Sequence, residues 1–242
     1  NVYVLERDGY RLVKLDPTGA AMWSVGEAGV AGSDAAHFGT YWNGPRGSLA
    51  LDNAGRVYVP DTGNHRIQVF NADGTFSRSF GSQGNSNTQF ECPNGVAISP
   101  ITQDILVVDA CNERVQVYNN AWSYKITLGV TGVAGADERR FNSPAGVAVD
   151  QAGAIYVADR DNYRVQRCTL AAGDYTCITF AGEPGTISAS FDHLLPGGVA
   201  VDRTGRVAVA DLYNNRVQVF DRQGNYLTTV GGRYGTASGE MR

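Results

Sequence analysis

The chain has 242 residues, 43% of them hydrophobic, with 30 Gly, 8 Pro and a formal net charge of −4. That is ample apolar material for a buried core, and the mild acidic balance gives no general attraction to phosphate backbones or anionic lipid. No apolar run reaches the roughly 20 residues a bilayer-spanning helix needs, so membrane insertion by a helix is not expected.

Val2–Leu5 and Leu12–Leu15 read as two strands around a turn, and Ala20–Val25 as a third, ended by Gly26. A loop rich in small residues then runs from Glu27 to Gly44, with Tyr41 and Trp42 near its end. Ser48–Leu51 is a short apolar strand. Asp52-Asn-Ala-Gly55 is a tight turn, because Asp and Asn bond their own backbone and Gly accepts positive φ. Val57–Val59 is the second strand of this unit. Asp61–Arg66 turns into the third, Ile67–Phe70, and Asn71-Ala-Asp-Gly74 into the fourth, Thr75–Phe80. The next unit reads Gly95–Ile98, Ile105–Asp109, Val115–Tyr118 and Tyr124–Leu128, with Ser99–Asp104 replacing the first tight turn. Two more follow: Gly146–Val149, Ala154–Asp159, Val165–Leu170 and Tyr175–Phe180, then Gly198–Val201, Val207–Asp211, Val217–Phe220 and Tyr226–Val230. No stretch sustains a 3.6-residue apolar period.

These units share one phrase, Asp61-Thr-Gly-Asn-His-Arg-Ile-Gln-Val-Phe70, which returns from Asp109, Asp159 and Asp211 and, worn, from Glu6. A period of about 50 residues marks a repeat architecture. The strands are apolar on both faces: in Ile155-Tyr-Val-Ala158, Ile155 and Val157 point one way, Tyr156 and Ala158 the other. Such a sheet must be covered on both sides, and consecutive copies supply the cover. Four-stranded antiparallel sheets repeated radially make a β-propeller, and small first strands such as Gly-Val-Ala-Val suit its crowded axis. The expected fold is all-β and one domain, 1–242. Its blades run about 1–43, 44–92, 93–143, 144–195 and 196–231, with a linker at 232–242. The first blade lacks its first strand.

Within the phrase, the acid ends the second strand and the Arg starts the third, so the two meet across the turn, the carboxylate also accepting backbone N–H groups. The Asn three residues after the acid is expected at positive φ, with Gly9 in its place in the worn copy. Asp61, Asp109, Asp159 and Asp211 with Arg66, Arg114, Arg164 and Arg216 therefore read as scaffold, as surface pairs of about 0–1 kcal/mol each. The residue between Asn and Arg varies: Tyr10, His65, Glu113, Tyr163, Asn215. So do the two after the acid: Arg7, Thr62, Ala110, Arg160 and Leu212, then Asp8, Gly63, Cys111, Asp161 and Tyr213. Variation on a fixed frame is how loops at one propeller end acquire specificity. The candidate binding face is Tyr10, His65, Glu113, Tyr163, Tyr213 and Asn215, with Trp42 and Trp122 as weaker members.

Four cysteines form two plausible pairs. Cys168 and Cys177 flank a hairpin turn, and Cys92 and Cys111 lie at the same end of one sheet. Each bridge closes a short loop, worth about 3 kcal/mol by the chain-entropy estimate; the alternative is four buried free thiols. Two pairs favour an oxidising compartment, hence an extracellular or cell-surface location.

Asn64-His65-Arg66-Ile67 resembles the Asn-His-Arg-Ile/Val turn of the NHL repeat family. Pro144–Asp150 with Gly153–Asp159 is similar to the family phrase Gly-Val-Ala-Val-Asp, Gly turn, Ile-Tyr-Val-Ala-Asp. The resemblance covers practically the whole chain and implies a propeller of six blades, five of them visible here. By that measure the chain is expected to be a fragment of a longer protein, its ring completed by a further strand or blade from another segment or chain. A strand left with an open edge invites such addition.

The family also includes proteins resembling peptidyl-hydroxyglycine lyases, which hold zinc through several His near the axis. The three His here, His37, His65 and His193, share no metal-type spacing. No lactonase-like calcium set, phosphate loop, Gly-x-Ser-x-Gly or catalytic Ser-His-Asp grouping stands out. The RNA-binding propellers of the family use a basic face, whereas Arg7 and Arg160 are mixed here with Asp8, Glu113 and Asp161. The sequence thus points to a non-enzymatic extracellular or cell-surface recognition or assembly domain for protein or glycan, with no cofactor, metal or nucleic acid and no catalytic residue. The alternative is an extracellular metal-dependent lyase or hydrolase with its site in the central channel. No Asn-x-Ser/Thr sequon occurs, so any glycan carried by the chain would be O-linked.

Overall fold

Short apolar runs, closed at each end by Gly- or Asp-containing turns, give strands mostly of five or six residues. A computed structural model describes residues 1–40, 47–182, 196–212 and 214–232. The first sheet holds β1 (Val2–Glu6), β2 (Arg11–Leu15) and β3 (Ala21–Val25). The second holds β4 (Ala50–Leu51), β5 (Val57–Asp61), β6 (Arg66–Phe70) and β7 (Phe76–Phe80). The third holds β8 (Pro93–Ile98), β9 (Ile105–Asp109), β10 (Arg114–Tyr118) and β11 (Tyr124–Gly129). In the fourth, β12 (Pro144–Val149) and β13 (Ile155–Asp159) precede two longer strands, β14 (Arg164–Ala171) and β15 (Asp174–Ala181). The fifth is β16 (Pro196–Val201), β17 (Val207–Asp211), β18 (Arg216–Phe220) and β19 (Tyr226–Gly231). Every sheet is an antiparallel meander in chain order, and together they make a five-bladed propeller whose first blade has three strands.

The first strands form the hub: β12 packs against both β8 and β16, and β8 against β4. At Gly146 the glycine is a packing requirement. A Cβ on Gly146 would lie 2.9 Å from the Cα of Gly198 on the next blade, closer than side chains tolerate. Between successive blades lie four apolar clusters. A linker phenylalanine (Phe38, Phe90 or Phe141), fully buried, plugs each of the first three. Each such side chain contributes about 1.5–3 kcal/mol of burial, so the linkers are integral to the core.

Cover is uneven around the ring. Leu106, Val108, Val115, Val117 and Leu128 of the third blade are sealed beneath the fourth. The same places on the fifth blade, Ala208, Ala210, Val217 and Val219, are half-buried, and Val230 is 53% exposed. On the first blade, Val2 and Val4 stand exposed where Ile155 and Val157 of the fourth are covered. Among the described residues no sheet lies on these two faces.

The structure revises several local expectations. The strand expected over Ser48–Leu51 shortens to Ala50–Leu51, because the Ser48 carbonyl accepts the N–H of Val96 on the next blade. Positive φ falls one residue later than expected, at Tyr10, His65, Glu113, Tyr163 and Asn215. In the second, third and fourth blades the three residues after the acid form a 3-10 turn, and the following residue reverses the chain in the left-handed region. Gly9 therefore serves space and not φ: a Cβ there would lie 2.6 Å from Glu6 Oε2, since Glu is one methylene longer than Asp. Trp122 is a core residue, 7% exposed and stacked on Phe80 at 4.3 Å.

Both expected disulfides are present. Cys168 faces Cys177 across β14 and β15. The other four-stranded blades carry aromatic pairs at that place: Phe70 with Phe76, Tyr118 with Tyr124, and Phe220 with Tyr226. Their ring centroids are 6.1–6.3 Å apart. In the fourth blade a covalent link replaces ring contact.

Candidate functional site

In the second, third and fourth blades the signature turn is a bracket between the blade and the linker that precedes it. Asp61 Oδ2 accepts Arg66 Nε–H at 2.7 Å, Asn64 Nδ2–H at 2.9 Å and Gln68 Nε2–H at 3.0 Å. Its Oδ1 accepts the backbone N–H of Gly39, in the linker, at 2.8 Å. Asp109 repeats this with Arg114, Asn112 and the N–H of Glu91, and Asp159 with Arg164, Asn162 and the N–H of Asn142. Asp211 binds Arg216, Asn214 and Gln218 in the same way. The Asn side chains also donate to linker carbonyls, those of Gly32, Gly84 and Gly135, at 2.8–2.9 Å.

This bears out the Asp–Arg contact and corrects its setting. All four carboxylates are fully buried, so these are not surface pairs. The backbone N–H each of the first three accepts belongs to the linker and not to its own turn. Burial pushes the carboxyls of Asp109 and Asp159 above their usual range, against the opposing pull of the donors around them.

The left-handed residues divide into two groups. The Glu113 carboxylate accepts the N–H of Ser143 at 2.5 Å, and His65 Nδ1 accepts the N–H of Cys92 at 3.3 Å. Cys92 and Ser143 hold equivalent places, each immediately before a proline and each at positive φ, 56° and 49°. His65 and Glu113 thus reach over to the next blade and hold a strained residue. Burial, helped by the charges of Asp161 and Asp159, pushes the Glu113 carboxyl up. Tyr163 is 39% exposed, and Tyr10 and Asn215 are half-buried. Tyr213, Trp42 and His193 lie outside the described residues.

Nearer the axis, at the same end, a cavity of about 260 Å³ opens between the blades. It is lined by Leu5, Arg7, Asn94, Ala145, Arg160 and Leu212, with the backbones of Gly47 and Gly197. Apart from Leu5 and Gly47, these are the residue just after the signature acid and the residue just after the blade-opening proline. The first set was visible as variable in the sequence; the second was missed, because only packing of the first strands against one another brings the strand starts together. Arg7 and Arg160 each pair with the next residue, Asp8 at 3.2 Å and Asp161 at 3.1 Å, so the mouth carries both signs of charge around a small apolar floor.

His37 Nδ1 lies 2.8 Å from Asp34 Oδ1 on a linker. Among the described residues no three His, Cys, Asp or Glu side chains are grouped as metal ligands.

A model of the NHL repeat matches residues 47–70, 141–168 and 194–220. NHL repeat-containing protein 3 of Mus musculus is 32% identical over 193 residues, which covers 75% of this chain and 53% of that protein. The chain is an NHL-repeat β-propeller. It spans about half the length of this curated relative. Among solved structures, the NHL propeller is similar in fold to virginiamycin B lyase from Staphylococcus aureus. That match has a TM-score of 0.61 and 14% identity and covers 94% of this chain and 64% of the lyase. It is also similar to a chain of a nidogen/laminin complex, with a TM-score of 0.57 and 17% identity over 77% of this chain and 63% of that one. At these identities the likeness is one of fold. Within the NHL frame, the bracket residues hold blades together, while the residues around the mouth change from blade to blade.

Proposed function

We propose that this propeller is a non-enzymatic recognition and assembly domain of the cell exterior, which binds a protein or glycan through the signature-turn face. The observation that carries the reading is the axial mouth. An acid–Arg pair stands behind each of Arg7, Arg160 and Leu212, which occupy one equivalent position with different chemistry, as Asn94, Ala145 and Gly197 occupy another. A frame that holds geometry constant while changing the chemistry at its rim is suited to recognition. The two disulfides favour an oxidising compartment. The uncovered apolar faces of the first and fifth blades favour assembly, through a strand or sheet supplied by another segment or chain. The propeller in the nidogen/laminin complex is a precedent of fold for a binding role.

The test is binding of the purified chain to a glycan panel and to purified matrix proteins, laminin first, alongside Arg160→Glu and Leu212→Asp. Wild type is expected to bind a member of one panel, and the variants to lose it with unchanged melting temperature. Binding to neither panel, or binding indifferent to both substitutions, would refute the reading. The fold shared with virginiamycin B lyase favours one alternative, a metal-dependent lyase or hydrolase acting at the mouth. Stoichiometric zinc or calcium in the purified protein would support it.

A further inference from the structure

The two disulfides differ in setting. Cys168 and Cys177 are both sealed in the core, 0% and 1% exposed. Cys92 is 5% exposed, but its partner Cys111 stands exposed on the signature-turn face. Cys92 also lies two residues before Asn94, which lines the axial mouth.

The Cys92–Cys111 bridge is not what shapes its turn. The second and fourth blades make the same 3-10 turn and left-handed residue with Gly63 and Asp161 where the third has Cys111. All three brackets keep Arg Nε at 2.7 Å and Asn Nδ2 at 2.9 Å from the carboxylate. Ser143, in the place of Cys92, keeps the same positive φ without a sulfur. The crosslink is therefore superfluous to the local geometry, half-exposed, and beside the proposed recognition site. Exposed disulfides of this kind are the labile ones, whereas buried ones resist attack.

We infer that Cys92–Cys111 is a thiol–disulfide exchange site. An incoming thiolate attacks the Cys111 sulfur and forms a mixed disulfide there. The Cys92–Cys111 bond breaks, and Cys92 leaves as the thiolate, taking up through water the proton the incoming thiol gave up. One disulfide is exchanged for another, so no further oxidant or reductant enters. Release of Cys92 removes the covalent tether on the residue preceding Pro93, whose N–H is then held by His65 alone, 27 residues away in sequence. The inference rests on the turn geometry and not on the identity of any ligand at the mouth, so it and the recognition reading fail separately.

The test treats the whole chain, without denaturant, with glutathione at mildly alkaline pH, quenches with acid at intervals and maps adducts by mass spectrometry. The expected result is a Cys111–glutathione adduct with free Cys92, forming at least about tenfold faster than any change at Cys168 or Cys177, with far-UV circular dichroism unaltered. A parallel arm with a protein carrying one reduced exposed cysteine distinguishes the two sources of thiol: the arm that forms the Cys111 adduct faster at equal thiolate concentration names the class this face favours. Equal rates at both bridges, an adduct on Cys92 in place of Cys111, or no adduct in either arm before unfolding would overturn the inference.

Discussion

Arg114 is the most deeply buried cation among the described residues, 1% exposed. Its Nε–H meets Asp109 Oδ2 at 2.7 Å. Its terminal N–H groups donate to Thr131 Oγ1 and to the carbonyls of Asn85, Ser86 and Gln89, at 2.8–3.1 Å. Replacing it by Met keeps most of the volume but strands a fully buried carboxylate, which then holds only Asn112 and the Glu91 N–H. Removing one partner of a buried pair costs about 3–5 kcal/mol. Arg66, with 15% of its side chain exposed, has water as a partial substitute, so Arg66→Met should cost less, about 1–3 kcal/mol. The two variants are compared by urea unfolding with disulfides intact. The pH dependence supplies an internal check. The Asp109 carboxyl is raised by burial, so its contribution to stability is fully present below the unfolded value of about 3.9 and is lost as pH rises through the folded one. Without Arg114 the carboxyl must rise further, so the cost of Arg114→Met should shrink as the pH is lowered from 7 toward about 4. A cost below about 1 kcal/mol at neutral pH, or one that grows on acidification, would refute the argument.

Asp52 should drive part of the acid limb. Burial raises its carboxyl, but donors from Arg56 and Tyr58 outweigh this and hold it below the usual range, while the Tyr58 hydroxyl is pushed up to about 12. Its stabilisation is present above about pH 3.9 and lost as pH falls through the lowered value, so Asp52→Asn should flatten the stability profile measured between about pH 5 and 2. The Tyr118 hydroxyl lies 2.8 Å from the Asn87 carbonyl and 2.7 Å from Gln116 Oε1; Tyr118→Phe should cost about 1 kcal/mol by thermal unfolding, with the fold unchanged. The double variant Cys168→Ser, Cys177→Ser should lose about 3 kcal/mol, since this blade has no aromatic pair at that place; a loss near zero in urea unfolding would contradict that. Glu113→Ala should lower the melting temperature by releasing Ser143, whereas Tyr163→Ala, at an exposed equivalent place, should leave it unchanged.

Much of this fold was legible because its information is periodic. The Asp–Arg phrase recurs in full four times, strands alternate, and Gly-rich turns separate them, so blade number and strand order follow from residues close in sequence. What was not legible depends on how segments distant in sequence dock. The brackets looked like surface pairs because the residues that bury each acid come from the preceding linker, such as Gly84–Phe90, and not from the phrase itself. The left-handed residue was misplaced because Asn favours that conformation locally, whereas here its side chain is worth more between a carboxylate and a linker carbonyl. The mouth combines residues from all five blades, which no single repeat displays. The covalent substitute in the fourth blade was readable in part, since Gln166-Arg-Cys168 departs from Gln-Val-Phe or Gln-Val-Tyr in the other complete repeats.

The central claim is that the repeated acid is a blade-to-linker brace. The most direct measurement is residue-resolved hydrogen exchange of the backbone amides of Gly39, Glu91 and Asn142, the three linker N–H groups bonded to Asp61, Asp109 and Asp159. If the braces hold, these loop amides exchange only through global opening, with the same free energy as amides in β9 and β13. Exchange at the pace of ordinary exposed loops would contradict the account.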